Sequence, residues 1–226
     1  MKRITHIALL LGCGAFAAAN GAIITYNGFD AGASAPGTNS TTARSAFIAA
    51  TGANGPITFE LLPFGSANNL VVVPGVTTVG ASASISNSTL CTLPLCGGNT
   101  TPAGAKFLEV LGGTVLFNFA TPIPYFGAYF GGLQNATTIS FNNGAPQSIP
   151  LLAAASSSGG FAFVGFTDFG GGPISSVSIN VGGDILTVDD VLYPVGAGVP
   201  EPSTFVLMGV GLLVLRNRLP APFRSK

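Results

Sequence analysis

Charged side chains are scarce in this sequence. Only 7% of the 226 residues are Asp, Glu, Lys or Arg, and the formal net charge is zero. Helical bundles and coiled coils cover their outer faces with Glu, Lys and Arg, so the composition argues against both. The chain also has no basic stripe to neutralise phosphates, which argues against a nucleic-acid partner.

The side chains that serve most acid–base and nucleophilic catalysis are nearly absent as well. The chain has one His, three Cys and no Trp. His6 and Cys13 lie near the start, so the rest of the chain has no His for a Ser–His–Asp set and too few ligands for zinc. A glycosidase needs two carboxylates across a cleft, but we interpret Glu60 and Glu109 as outward strand residues or charged edge guards. We therefore predict that the protein is not an enzyme.

The first residues have the order of an export signal. Lys2 and Arg3 precede an apolar run that continues to Ala19, and small residues then offer cleavage sites. This order is typical of a secretory signal peptide, which we assign to residues 1–22. Between the two ends, two basic side chains stand against seven acidic ones. The expected exported domain, residues 23–196, is therefore mildly acidic.

Two cysteines remain in that domain, Cys91 and Cys96. An even pair in an exported protein predicts a disulfide, because the compartments outside the cytoplasm are oxidising. The bond would close a very short loop, so we expect its contribution to stability to be small.

The exported domain contains short runs of β-branched and aromatic residues between clusters of Gly, Pro, Asn and Ser. These runs predict about ten strands, and Ala43–Ala50 predicts one short helix. Asn142-Asn143-Gly144, Gly112-Gly113 and Gly182-Gly183 have the composition of tight turns. The predicted fold class is therefore all-β, a β-sandwich of the jelly-roll type, preceded by the signal peptide and followed by a short hydrophobic helix. The predicted strands are Ile23–Phe29, Ile57–Leu62, Leu70–Val79, Phe107–Leu111, Thr114–Phe119, Tyr125–Phe130, Thr137–Phe141, Ser148–Leu152, Phe161–Phe166, Ile174–Val181 and Ile185–Tyr193.

The C-terminal region, residues 197–226, has a second ordered pattern. Pro200, Glu201 and Pro202 precede an uncharged run over residues 203–215, and Arg216 and Arg218 follow it. Prolines favour a helix start, and arginines after an apolar run fit the cytoplasmic side of a membrane. The run is shorter than the roughly 20 residues of a spanning helix, so arginine snorkelling or local thinning would have to cover the difference.

This order resembles the PEP-CTERM sorting domain of exported bacterial proteins. The resemblance implies that Pro200, Glu201 and Pro202 form the recognition signature of an exosortase, a membrane-embedded processing protease. It also implies that the helix 203–215 and the basic tail 216–226 hold the protein in the inner membrane until processing. Arg216 and Arg218 would be the basic stop of that segment.

Four short segments resemble the jelly-roll domain that is common ahead of this signal: 124–130, 140–144, 163–168 and 189–193. That domain is similar in outline to sandwich-type carbohydrate-binding modules, many of which hold a structural Ca²⁺. The resemblance makes Asp30 and Asp189 candidate ligands, since hard oxygen donors suit Ca²⁺.

Strand alternation puts Asp189 and Asp190 on opposite faces that are both apolar nearby, so one of them must be bulged out, hydrogen-bonded or bound to a cation. We favour the interpretation that these carboxylates accept backbone hydrogen bonds at a strand end.

We therefore predict an exported surface or extracellular-matrix protein with a non-catalytic structural or adhesive role. The alternative is a carbohydrate-binding module, with Tyr125 and Tyr129 as sugar contacts and Ca²⁺ as the one candidate cofactor. The expected partners are an exosortase, the inner membrane while the helix is retained there, and extracellular polysaccharide. The expected location is the cell surface or the extracellular space, with a membrane anchor before processing.

Overall fold

The computed structural model describes residues 23–88, 98, 104–134, 137–142, 147–148, 159–167, 169 and 172–194. The predicted signal peptide, Cys91, Cys96 and everything from residue 195 onward lie outside the described residues. Within these ranges the chain forms eleven strands and one helix, so the all-β prediction is confirmed. The elements are β1 (Ile24–Ala31), α1 (Thr38–Thr51), β2 (Gly65–Ser66), β3 (Leu70–Val73), β4 (Val76–Val79), β5 (Ala83–Ser86), β6 (Phe107–Ile123), β7 (Tyr125–Gly131), β8 (Thr138–Phe141), β9 (Gln147–Ser148), β10 (Gly160–Thr167) and β11 (Ile174–Leu192).

Two strands, β6 and β11, are much longer than the others and pair with each other in antiparallel register. The pairing is irregular where Gly113 faces Gly182, and the register shifts on both sides of that pair. Gly112, Gly113 and Gly182 have φ values of 71°, 70° and 65°. Glycine adopts this left-handed backbone without the steric cost that a Cβ imposes. The two strands therefore bend together at this point and continue.

The prediction that Gly112-Gly113 and Gly182-Gly183 close hairpin turns is accordingly wrong. A tight turn and a bulge inside a strand both select glycine, so composition does not separate them. The predicted strand Ile57–Leu62 is also wrong, because only Ile57 forms a bridge, with Val191. Leu70–Val79 is a hairpin that turns at Pro74 and Gly75, since β3 and β4 pair with each other.

The bend divides one continuous sheet into two halves that face each other. The helix-side half contains β1, β10, β7, β5 and β2, together with residues 185–192 of β11 and 107–111 of β6. The far half contains β3, β4, β8 and β9, together with residues 174–181 of β11 and 114–123 of β6. Phe117 and Phe119 of the far half lie 6.0 and 6.3 Å from Phe126 of the helix-side half, measured between ring centroids. Phe141 and Phe166 make a similar contact at 5.1 Å. The sandwich-like core is therefore enclosed by a single sheet folded over itself.

Helix α1 packs on the other face of the helix-side half, against β1, β10 and β7. Its buried residues, Ser40, Ala43 and Phe47, are spaced three and four apart and so lie on one side of the helix. The helix ends at Gly52, which has φ of 67° and donates its N–H to the Ile48 carbonyl. The predicted helix Ala43–Ala50 lies inside the observed one.

Phe47 is the apolar anchor of this layer. Its ring is fully buried and lies 5.5 to 5.7 Å from the rings of Tyr26, Tyr125 and Phe163. It sits over Gly165 and Gly127, which are partners in the β10–β7 register. A Cβ at either glycine would overlap the Phe47 ring, so the missing side chains form the slot that the ring fills.

Asp30, at the end of β1, caps the start of α1. Its carboxylate accepts the N–H groups of Gly37 (2.9 Å), Asn39 (3.0 Å) and Ser40 (3.0 Å). A helix start leaves such amides without partners inside the helix, and negative charge is favourable there. Partial burial by itself raises the pKa of Asp30, but hydrogen bonds from Ser40, Asn39 and Gly37 outweigh it and leave the pKa lowered.

We expect Gly165→Ala to lower the free energy of unfolding by about 1–3 kcal/mol, because the added methyl overlaps Phe47. Phe47→Ala should cost about 3–5 kcal/mol. In the Phe47→Ala background most of the cost of Gly165→Ala should disappear, as urea unfolding of the four proteins will show. Gly183→Ala is the matched control, because a Cβ there has no neighbour within 4 Å. If the two losses in the free energy of unfolding simply add in the double variant, the Phe47 ring does not depend on the space over Gly165.

We expect Asp30→Asn to destabilise the protein by about 1–2 kcal/mol at neutral pH, because one charged acceptor is replaced by an amide. The pKa of Asp30 is lower in the folded state than in the unfolded state. Its stabilisation is therefore present at neutral pH and is lost as the pH falls through the folded pKa. Denaturant unfolding from pH 7 down to about pH 2 should show that the difference in the free energy of unfolding between the unchanged protein and Asp30→Asn becomes smaller. A difference that stays constant over this range would disprove the assignment.

Candidate functional site

The residues of the predicted sorting signal follow the end of β11. Pro194 is the last described residue, so Pro200, Glu201, Pro202, Arg216 and Arg218 all lie outside the described residues. Cys91 and Cys96 lie outside them as well, and their disulfide stays a prediction. In the described part of the chain, no helix is both long enough and apolar enough to cross a membrane.

Asp189 and Asp190 form a bulge near the end of β11. The register with β7 shifts between Asp189 and Leu192, and Asp190 has φ of 47°. Asp189 accepts the N–H of Asp190 on Oδ1 at 2.8 Å. An Asp190 carboxylate oxygen lies 3.6 Å from a guanidinium nitrogen of Arg44 in α1. Of the alternatives that the sequence left open for these aspartates, a bulge and a backbone hydrogen bond are both present, and the Asp190–Arg44 ion pair joins the sheet to the helix.

The tyrosines proposed as sugar contacts lie beneath α1. Tyr129 is only 4% exposed, with the Arg44 guanidinium 5.8 Å from its ring centroid. Burial raises the pKa of Tyr129 to about 12; Asp190 and Asp30 add to the rise and Arg44 opposes it. Tyr125 packs edge-on against Phe47. A sugar ring stacks on an open aromatic face, and Tyr129 offers none, whereas Tyr125 is only partly buried.

The two candidate calcium ligands are not brought together. Asp30 pairs with Phe161, Phe161 with Gly131, and Gly131 with Thr187, so three strand spacings separate Asp30 from β11. That distance is about 14 Å, far beyond the reach of one cation. The oxygens of Asp30 already accept three amides. Among the described residues, no group of three or more His, Cys, Asp or Glu side chains is placed to hold a metal.

The two internal glutamates also have structural surroundings. Glu60 accepts the N–H groups of Ala105 and Lys106 on Oε1, each at 2.9 Å. Glu109 is only 4% exposed, so the expectation that it points outward is wrong. Its partner in the register is Thr187, whose hydroxyl exchanges hydrogen bonds with Gly98. Gly98 therefore lies over this part of the sheet, a contact between distant residues that strand alternation does not reveal.

A cleft of about 540 Å³ opens beside the end of β11, and the sequence interpretation did not anticipate it. Its aromatic wall is Phe119 and Tyr193, whose ring centroids are 5.8 Å apart. Burial raises the pKa of Tyr193. Among the described residues, those that line the cleft include no carboxylate, amine or guanidinium, so the walls that they form are apolar. Four prolines line the cleft, and three of them lie at or near a strand end: Pro74 after β3, Pro122 near the end of β6 and Pro194 after β11.

We expect calcium to leave the melting temperature unchanged, because Asp30 and Asp189 lie too far apart to share an ion. Thermal unfolding in excess EDTA should match unfolding in millimolar CaCl₂ at the same ionic strength, with MgCl₂ as the control for divalent charge. A rise in melting temperature with Ca²⁺ alone would overturn this expectation, since a ligand that binds the native state stabilises it.

Comparison with known proteins gives one informative match. No curated protein matches the chain. Among solved structures, the chain is similar to the enzymatically active domain of tailspike protein 4 of bacteriophage CBA120, at 15% identity and a TM-score of 0.27. That match covers 56% of this chain and 21% of the tailspike chain, and it carries no argument. The family model of the PEP-CTERM protein-sorting motif matches residues 198–218, so the chain carries the C-terminal motif of exported proteins that are sorted by an exosortase.

Proposed function

We propose that the domain before the motif works at the cell surface or in the extracellular matrix as a non-catalytic structural or adhesive protein. The match of residues 198–218 to the sorting motif carries this proposal. In it, an exosortase recognises Pro200, Glu201 and Pro202. The apolar run 203–215 holds the chain in the inner membrane until processing, with Arg216 and Arg218 as the basic stop.

The way the domain uses its carboxylates supports a non-catalytic role. Asp30 and Glu60 accept amides that fix a helix start and a loop. Asp184 accepts the N–H groups of Gln134 and Ile185. Asp190 pairs with Arg44. A general acid or base has to reach a substrate, whereas each of these groups contacts the protein itself.

The outer surface of α1 supports a role in contact with hydrated polymers. Thr38, Thr41, Thr42 and Ser45 are exposed there, and the Thr42 and Ser45 hydroxyls donate to carbonyls one turn earlier in the helix. Hydroxyl groups keep this face wet without charge, which fits a chain with few ionic side chains. We propose extracellular polysaccharide as the partner that such a neutral, hydrogen-bonding face would meet.

We expect the Pro200→Ala/Glu201→Ala/Pro202→Ala variant to keep its C-terminal segment and to remain in the membrane fraction of an exosortase-containing host. The unchanged chain should be released with a smaller intact mass. That mass should correspond to loss of both terminal segments and be about 2 Da lower still if Cys91 and Cys96 are joined.

Pro220→Ala/Pro222→Ala is the matched control for this experiment, because it changes two prolines outside residues 198–218. It should be processed and released like the unchanged chain. If the triple variant has the same location and the same mass as the unchanged chain, the proposal is wrong.

A further inference from the structure

The loop over residues 60–64 presents two apolar side chains to solvent. Leu61 is fully exposed and Phe64 is 59% exposed, the highest values of any large apolar side chain among the described residues. Lone exposed apolar residues are common on proteins, whereas two in one short loop place apolar surface at a single site, where it is available to another apolar phase.

Contacts with the start of β6 hold this loop in place. Glu60 accepts the N–H groups of Ala105 and Lys106. The Lys106 ammonium donates to the Leu62 carbonyl at 2.5 Å and lies 4.5 Å from the centroid of the Phe64 ring. Leu61 and Phe64 therefore keep their outward positions before any contact forms, which reduces the entropy lost on binding.

The loop lies at the end of the sandwich from which the chain leaves. Ile57, just before the loop, exchanges both backbone hydrogen bonds with Val191 near the end of β11. Ile57 and Pro194 line the same cleft. The glycine bend lies inside both long strands, nine residues before Val191 in β11, and so marks the other end of the folded sheet. The 60–64 loop and the exit at Pro194 thus share one end of the molecule.

The proposed membrane segment follows this end of the domain closely in the sequence. Eight residues, 195–202, separate Pro194 from the apolar run 203–215. Fully extended, they reach at most about 29 Å. Exposed Leu and Phe side chains can enter the boundary between headgroups and acyl chains, and a lysine beside them can keep its charge in water. Because Glu60 offsets the charge of Lys106, apolar insertion rather than ionic attraction would provide the binding.

We propose that the 60–64 loop is a second membrane contact, in which Leu61 and Phe64 enter the interfacial layer of the bilayer while residues 203–215 hold the chain there. The inference rests on the proposed retention in the inner membrane. It goes beyond it by assigning an orientation to the exported domain, with the 60–64 loop facing the lipid and the glycine bend facing away.

The absence of tryptophan makes a direct test available, because one introduced Trp supplies all of the indole emission. The full chain with Leu61→Trp is reconstituted into phosphatidylethanolamine–phosphatidylglycerol vesicles, with and without brominated acyl chains. The matched control is Leu111→Trp, a leucine that is 41% exposed and stands beside the bend. Leu111 lies four residues from the start of β6, about 14 Å along the strand.

We expect the emission of Leu61→Trp to shift to the blue in vesicles and to fall about twofold or more with brominated lipid, as for an interfacial Trp. The emission of Leu111→Trp should do neither. Co-sedimentation with vesicles is measured on the same samples. Sedimentation without preferential quenching of Leu61→Trp overturns the loop contact alone, and failure to sediment overturns the loop contact together with the membrane retention on which it rests.

Discussion

The rest of the structure depends on the shared bend of β6 and β11. Gly112 and Gly113 of one strand lie against Gly182 of the other, and all three have a left-handed backbone. Because both strands bend at the same level, their pairing resumes on the far side and the sheet folds back over itself. Phe117 and Phe119 then pack against Phe126, and the apolar faces of the two halves enclose one core. A flat sheet of these strands would leave both apolar faces open to water.

Helix α1 adds a third layer, and several aromatic and charged side chains of the domain attach it to the sheet. Phe47 fills the slot over Gly127 and Gly165, Arg44 joins Asp190, and Asp30 caps the helix start. Asp30 and Asp190, for which the sequence left cation binding open, therefore hold the helix in place. The exposed surface is left with neutral hydroxyl groups and few charges, which agrees with a protein that functions outside the cell.

The two ends of the sandwich differ in character. The bend end is built from glycines inside continuous strands, whereas the other end collects the cleft, the 60–64 loop and the exit toward residue 195. The sorting motif over residues 198–218 begins four residues after Pro194, so it follows directly from the end with the cleft and the 60–64 loop. The features that contact partners during export are thus expected on the exit end.

The sequence by itself determined the parts of this protein that are read as linear peptides. The sorting motif is contiguous, and most strands follow from local runs of apolar and β-branched residues. Only the tertiary structure decided which strands pair, and with that the positions of the candidate site residues. Gly112 and Gly182 form a bend because β6 and β11 are partners. Asp30 and Asp189 are separated by two intervening strands, Glu109 is buried where Gly98 lies over the sheet, and Tyr129 is covered by α1. These outcomes depend on contacts between residues far apart in the chain, and a local pattern carries no information about such partners.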